Sequence, residues 1–126
     1  MSTSEIATVL AWHDALNDSD IETLLGLSSD DIEVGGPRGA TQGIDALRDW
    51  ATSAGVKLVP GKLYTHDGVV VVEQKATWAT DPGNTSTVAS AFRVVHDHVT
   101  SVFRHDDLES ALAATDLSEE DFVADA

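Results

Sequence analysis

Residues 56–105 read VKLVPGKLYTHDGVVVVEQKATWATDPGNTSTVASAFRVVHDHVTSVFRH, and this stretch decides the fold. Val, Thr and aromatic residues dominate it, and turn-forming clusters cut it into strand-length pieces at 56–65, 69–80, 86–95 and 99–105. Asp67-Gly68 is a strong two-residue hairpin signal. Asp81-Pro82-Gly83-Asn84 and His96-Asp97-His98 supply the next two turns. Pro60-Gly61 interrupts the first piece and reads as a bulge or an edge, because proline cannot donate to a ladder. Four sequential strands with short turns form an antiparallel meander.

Upstream, the period changes from two to 3.6. Over 4–17, Ile6, Val9, His13 and Leu16 share one helical face, with Leu10 and Trp12 at its edges. Ser19-x-x-Glu22 opens a short second helix carrying Ile21, Leu24, Leu25 and Leu27. A strand over 32–34 enters the turn-rich Gly35-Gly36-Pro37-Arg38-Gly39. Gly43 then begins a third helix with Ile44, Leu47, Trp50 and Ala51 inward, stopped by Gly55. Downstream, Asp106-x-x-Glu109 caps a last helix over 108–115, and 116–126 is expected to be a short acidic tail with one more turn. Helices before and after a meander define an α+β domain, a curved antiparallel sheet with helices gathered on one face. One domain spans 1–126.

The chain carries 22 acids against 7 bases, a formal charge of −15. Nucleic acid and anionic membranes are excluded as principal partners, since both need clustered Lys and Arg. The charge is uneven: 14–33 holds seven acids without a base, 106–126 holds eight more, and 38–105 sets seven bases against six acids. The meander is thus close to neutral between acidic flanks, a pattern of solubility rather than of ligand choice. With 42% apolar residues there is enough surface for a core. Cysteine is absent, which removes disulfides, thiolate metal sites and thiol nucleophiles. Met1-Ser2-Thr3-Ser4-Glu5 has no secretory or membrane character, so a cytoplasmic location is expected.

Trp12-x-x-Ala15-Leu16-Asn17-x-x-Asp20, the 30–34 segment leading into Gly36-Pro37-x-Gly39, Gly43-Ile44-x-Ala46-Leu47-Arg48 and Ala91-Phe92-Arg93 together resemble the nuclear-transport-factor-2-like superfamily. Within it, the chain is most similar to the SnoaL-like and ketosteroid-isomerase-like branch. The resemblance covers essentially the whole chain. It implies a cone-shaped sheet with about three helices on its concave face, and it leaves activity open, because this scaffold hosts enzymes, carriers and oligomerisation modules. The ketosteroid isomerases place a tyrosine, a base aspartate and a protonated aspartate at positions held here by Trp12, Gly36 and Ser90. None of the three can do that chemistry.

Under the parity implied by the resemblance, Val70, Val72, Gln74, Ala76 and Trp78 face the cone interior. Val88, Ser90, Phe92 and Val94 do so on the next strand, and Val102, Arg104 and Asp106 follow on the last. Trp12, Trp50, Val72, Gln74, Trp78, Ser90 and Phe92 are the expected ligand-binding residues, a mostly apolar and aromatic lining. His13 is a candidate general base in mid-face of the first helix; the alternative is a satisfied histidine at the helix–sheet contact. Arg104 could grip a carbonyl or carboxylate while Asp106 acts as base, which resembles part of the Asp-Arg-Asp arrangement of some epoxide hydrolases of the superfamily. Alternatively Asp106 caps the last helix and Arg104 pairs with a carboxylate at the mouth. His96-x-His98 straddles a turn, so no metal is expected. Gly35-Gly36-x-x-Gly39 lacks the Lys-Ser/Thr of a phosphate loop and reads as the cone rim; no cofactor is expected.

Three functions follow: a module binding a small apolar or aromatic molecule in the cone; an isomerase, cyclase or hydrolase using His13 or Arg104 with Asp106; and a dimerisation module with a filled cavity. A homodimer through the sheet is expected, because Val71, Lys75, Ala89, Ala91, Val95 and Phe103 form a face too apolar to stand open.

Overall fold

The computed structural model describes residues 2–36, 39–53, 55–78 and 81–126. Helices α1 (Ser2–Asn17) and α2 (Ile21–Gly26) precede strands β1 (Ser28–Gly36) and β2 (Gly39–Gln42). Helix α3 (Ile44–Ser53) leads into β3 (Val56–His66), β4 (Val69–Trp78), β5 (Thr85–Val95) and β6 (His98–His105). The chain closes with α4 (Leu108–Thr115), a 3-10 turn at Glu119–Asp121 and β7 (Phe122–Asp125). The strands form one curved sheet in the order β2-β1-β6-β5-β4-β3-β7. This is the expected α+β architecture.

The meander has the turns the sequence announces. Asp67 and Gly68 both take positive φ, 49° and 81°, in a two-residue turn that matches the twist of β3 and β4. His96 and Asp97 do the same between β5 and β6 at 51° and 62°. The register of β3 against β4 slips between Pro60 and Leu63, the bulge that Pro60-Gly61 requires. Residues 79 and 80, expected to prolong β4, and residues 37–38 of the expected glycine-rich turn lie outside the described residues.

Several elements differ from expectation. The sheet is mixed, since β1 runs parallel to β6, setting Val34 beside Val102. Gly36 pairs with Gly39, so Gly35, Gly36 and Gly39 belong to an antiparallel β1–β2 pair rather than to an irregular loop. Asp20, not Ser19, caps α2 by accepting from the Thr23 N–H. Likewise Asp107, not Asp106, caps α4 by accepting from the Ser110 N–H at 2.7 Å.

Strand alternation divides the molecule into two cores. On the concave side Leu63, Val70, Val72, Ala76, Phe92 and Val94 pack beneath α1, α2 and α3, whose Val9, Trp12, Leu16, Leu24 and Leu47 are buried against them. On the opposite face Tyr64, Val71, Ala89 and Ala91 lie under Ala111 of α4 and Leu117. Three helices therefore cover the concave face, and the fourth covers part of the other. Val71 and Ala89 are fully buried and Ala91 nearly so, so α4 and Leu117 within the chain cover a part of this face that was expected to need a second copy. Lys75 and Val95 remain exposed and Phe103 half-buried.

The 116–126 segment is more than a tail. Asp116 adopts the left-handed conformation that ends α4, and Leu117 donates back to the Leu112 carbonyl. β7 then adds an antiparallel edge to β3, with Phe122 packed edge-on against Tyr64 at 5.4 Å. The Tyr64 hydroxyl donates to Glu119 at 3.2 Å.

Candidate functional site

Adjacent residues of α1 bring two rings into the concave core. Trp12 is fully buried, edge-on to Phe92 at 5.3 Å and stacked beside Trp50 of α3 at 6.3 Å. Its indole N–H donates to Ser28 Oγ at 3.0 Å, and that hydroxyl donates in turn to the Leu24 carbonyl. Both hydrogens are spent inside the protein, so Trp12 offers no donor.

His13 is equally buried. Its Nδ1 lies 2.7 Å from the Val9 carbonyl, which can only accept, so Nδ1 carries the hydrogen. Its Nε2 lies 2.8 Å from the Gln74 side-chain nitrogen, and Gln74 Oε1 accepts from Ser90 Oγ at 2.8 Å. Desolvation pulls the imidazole down to a pKa of about 4, against smaller opposing effects from the Val9 hydrogen bond and Asp14. At neutral pH the ring is uncharged and its two nitrogens are both occupied. Four buried groups on α1, β4 and β5 thus form one chain of hydrogen bonds, and Ser90 is its end.

Ser90 opens onto a cavity of 650 Å³ between the β1–β2 pair, α3 and the concave face of β5–β6. Trp12, Trp50, Leu58 and Val102 make its apolar wall, while Ser90, Arg104 and Thr41, whose hydroxyl donates to the Val34 carbonyl at 3.5 Å, supply side-chain polarity. Ser90 and Arg104 are direct cross-strand partners, so both side chains leave the same face of the sheet. The exposed Arg104 guanidinium reaches over the Trp78 ring, 5.9 Å from its centroid. Gly36 completes the rim beside it: a Cβ there would sit 3.8 Å from the Cβ of Arg104, in ordinary contact. Gly35 differs, because a Cβ would meet the Phe103 ring at 2.7 Å on the outer face.

Of the ligand-binding residues expected from the sequence, Trp12, Trp50 and Ser90 line this cavity. Val72, Gln74 and Phe92 stand in the buried layer behind its wall, and Trp78 is half-buried at its edge. Of the three catalytic candidates, Arg104 borders the cavity. His13 lies behind Gln74 and Ser90, closed off from the space. Asp106 follows the end of β6, exposed, and is not among the described lining residues. The sequence reading missed Val34, Ala40, Thr41 and Leu58 in the wall. The available signal was the alternation of β1 through Val34 and Gly36, hidden because Gly and Pro made the segment look like a loop. Trp12, Gly36 and Ser90, the positions that match the ketosteroid isomerase triad by resemblance, all face this one cavity.

No helix among the described residues is long and apolar enough to cross a membrane. No curated protein matches the sequence. Among solved structures, the chain is similar to an NTF2-like protein of unknown function from Cytophaga hutchinsonii, with 17% identity, a TM-score of 0.74, and coverage of 84% of this chain and 92% of the other. It is similar to a candidate polyketide cyclase from Xanthomonas campestris pv. campestris at 19% identity and a TM-score of 0.71, covering 88% and 96%. A third is TerC co-crystallized with polyporic acid, at 20% identity and a TM-score of 0.70, covering 90% and 97%. At such identities the likeness establishes the fold. The family model for the SnoaL-like domain matches residues 9–107, and this chain belongs to that family.

Proposed function

We propose that the protein binds a small, flat apolar or aromatic molecule in the concave cavity and does so without the ketosteroid isomerase proton-transfer set. The observation that carries this reading is the 650 Å³ cavity walled by Trp12 and Trp50 with Thr41, Ser90 and Arg104 among its polar side chains. Space of this size suits a ligand of one to three rings. The acid–base positions inferred from the resemblance hold an indole with a committed N–H, a glycine and a hydroxyl, none of which takes a proton at neutral pH. His13 has no free nitrogen and Asp106 stands outside, so neither supports the isomerase, cyclase or hydrolase alternative. That TerC was crystallised with polyporic acid and that another neighbour carries a cyclase name support a small-molecule occupant for the scaffold.

Titration of tryptophan fluorescence with a panel of hydroxylated and keto naphthalenes and anthraquinones tests the proposal. Saturable quenching is expected, and Gly36→Val, which projects a side chain into the rim without strain, should weaken it at least tenfold while the variant stays folded. A flat response across the panel overturns the reading. Pairing of two copies through the uncovered part of the outer sheet face, around Val95 and Phe103, is a further proposal. A monomeric mass in sedimentation at micromolar concentration refutes it.

A further inference from the structure

We infer that the buried chain Val9–His13–Gln74–Ser90 makes the Ser90 hydroxyl a one-way hydrogen-bond acceptor toward the cavity, and that the site therefore selects hydroxyaromatic acids: a ring hydroxyl for Ser90, a carboxylate for Arg104. The inference rests on the cavity being a ligand site. Its origin is a single carbonyl. Val9 O can only accept, so His13 Nδ1 donates to it across 2.7 Å. An uncharged imidazole with hydrogen on Nδ1 presents a lone pair at Nε2. Gln74 must then turn its amide nitrogen toward His13 at 2.8 Å, and its oxygen toward Ser90. Ser90 spends its one hydrogen on that oxygen at 2.8 Å.

What reaches the cavity is oxygen lone pairs. A ligand carbonyl placed there meets repulsion between acceptors, whereas a hydroxyl or N–H donates. Trp12 cannot compensate, because its N–H is held by Ser28, and the Thr41 hydroxyl at the rim donates to the Val34 carbonyl. On the neighbouring strand Arg104 provides the opposite polarity, with five N–H donors and a positive charge at the mouth. The aromatic lining by Trp12 and Trp50 suits an aromatic body between the two ends. His13 and Gln74 act in this scheme as positioning residues: they touch no ligand and set the direction of the Ser90 hydrogen.

Three bicyclic acids of nearly equal shape separate the possibilities: 6-hydroxy-2-naphthoate, 6-fluoro-2-naphthoate and 6-formyl-2-naphthoate, titrated against the whole chain by calorimetry and tryptophan fluorescence at pH 7.5. The hydroxyl compound is expected to bind roughly fivefold to tenfold tighter than the fluoro compound, the usual yield of one neutral hydrogen bond. The formyl compound is expected to be weakest. Ser90→Ala should bring the hydroxyl and fluoro compounds within about twofold of each other, consistent with loss of that one bond. Gln74→Leu releases the Ser90 hydrogen, and should raise formyl affinity relative to hydroxyl, with circular dichroism reporting whether it folds; the order of the three ligands on the wild-type chain is decisive without it. Fluoro or formyl binding as tightly as hydroxyl overturns the inference and leaves the cavity reading intact. Failure of all three overturns the inference, and joined to silence across the wider panel it overturns the cavity reading too.

Discussion

His13→Gln should flatten the acid sensitivity of the fold. In the unfolded chain this imidazole titrates near its ordinary 6.5, while in the folded protein burial holds it down at about 4. The folded state therefore binds fewer protons than the unfolded state between those values, and stability falls as pH falls through them. Above pH 6.5 both states are neutral at this position, and below about 4 both are charged and the loss is complete. The depression from 6.5 to about 4 corresponds to about 3 kcal/mol in full, of which about 2.5 is expressed by pH 4.5. The conversion is apt because His13 is fully buried, without water to screen it. Glutamine removes the titration but also the Val9 hydrogen bond, so the variant should start less stable at pH 8 by about 1–3 kcal/mol. Urea unfolding followed by tryptophan fluorescence at half-unit intervals from pH 8 to 4.5 measures both chains against the same background of 22 acids. The gap between them should narrow by about 2.5 kcal/mol, a relative midpoint movement of roughly 1 to 2 M urea. A gap that stays constant refutes the neutral, closed-off His13 and with it the direction assigned to the Ser90 hydrogen.

Neighbouring glycines should respond in opposite ways. Gly35→Ala forces a methyl to 2.7 Å from the Phe103 ring and should cost about 1–3 kcal/mol in thermal or urea unfolding, while Gly36→Ala, with its nearest contact at 3.8 Å, should cost less than half as much. Equal effects would contradict the assignment of their faces. Removing residues 118–126 strips the Tyr64 ring of its Phe122 contact and bares the β3 edge; the expected result is a loss of about 2 kcal/mol and a rise in concentration-dependent light scattering. A truncated chain as stable and monodisperse as the full one would show that β7 contributes nothing.

Much of the fold was legible because its signals are local. The strands of the meander follow from runs of Val and Thr between turns whose residues tolerate positive φ, and Leu47, Trp50 and Ala51 of α3 fall inward as the helical period demands. The parity of Val70, Val72, Gln74 and Ala76 against Val71 holds, since strand alternation cannot drift. What failed to read was set by partners far along the chain. β1 looks like three residues and a loop, yet it extends over Ser28–Gly36 because β6 supplies hydrogen bonds along one side and β2 along the other. β7 reads as an acidic tail, all four of its residues exposed, and becomes a strand because the β3 edge is available to pair it.

The site divides in the same way. Strand parity taken from the family resemblance placed bulky aromatics and few polar residues in the cone, and the spacing of Trp12 and His13 put both near the buried face of one helix. Whether a buried polar group borders space or backs onto another side chain depends on distances between α1, β4 and β5, which no local pattern encodes. Tertiary packing decided that His13 and Gln74 are the inner links of a chain and that Ser90 is its end at the cavity. It also set Arg104 beside Ser90 and left Asp106 beyond the strand, although the two share a parity. Residue chemistry thus determined which groups were available; the direction in which each spends its hydrogen was fixed by a carbonyl on α1 that side-chain periodicity cannot register.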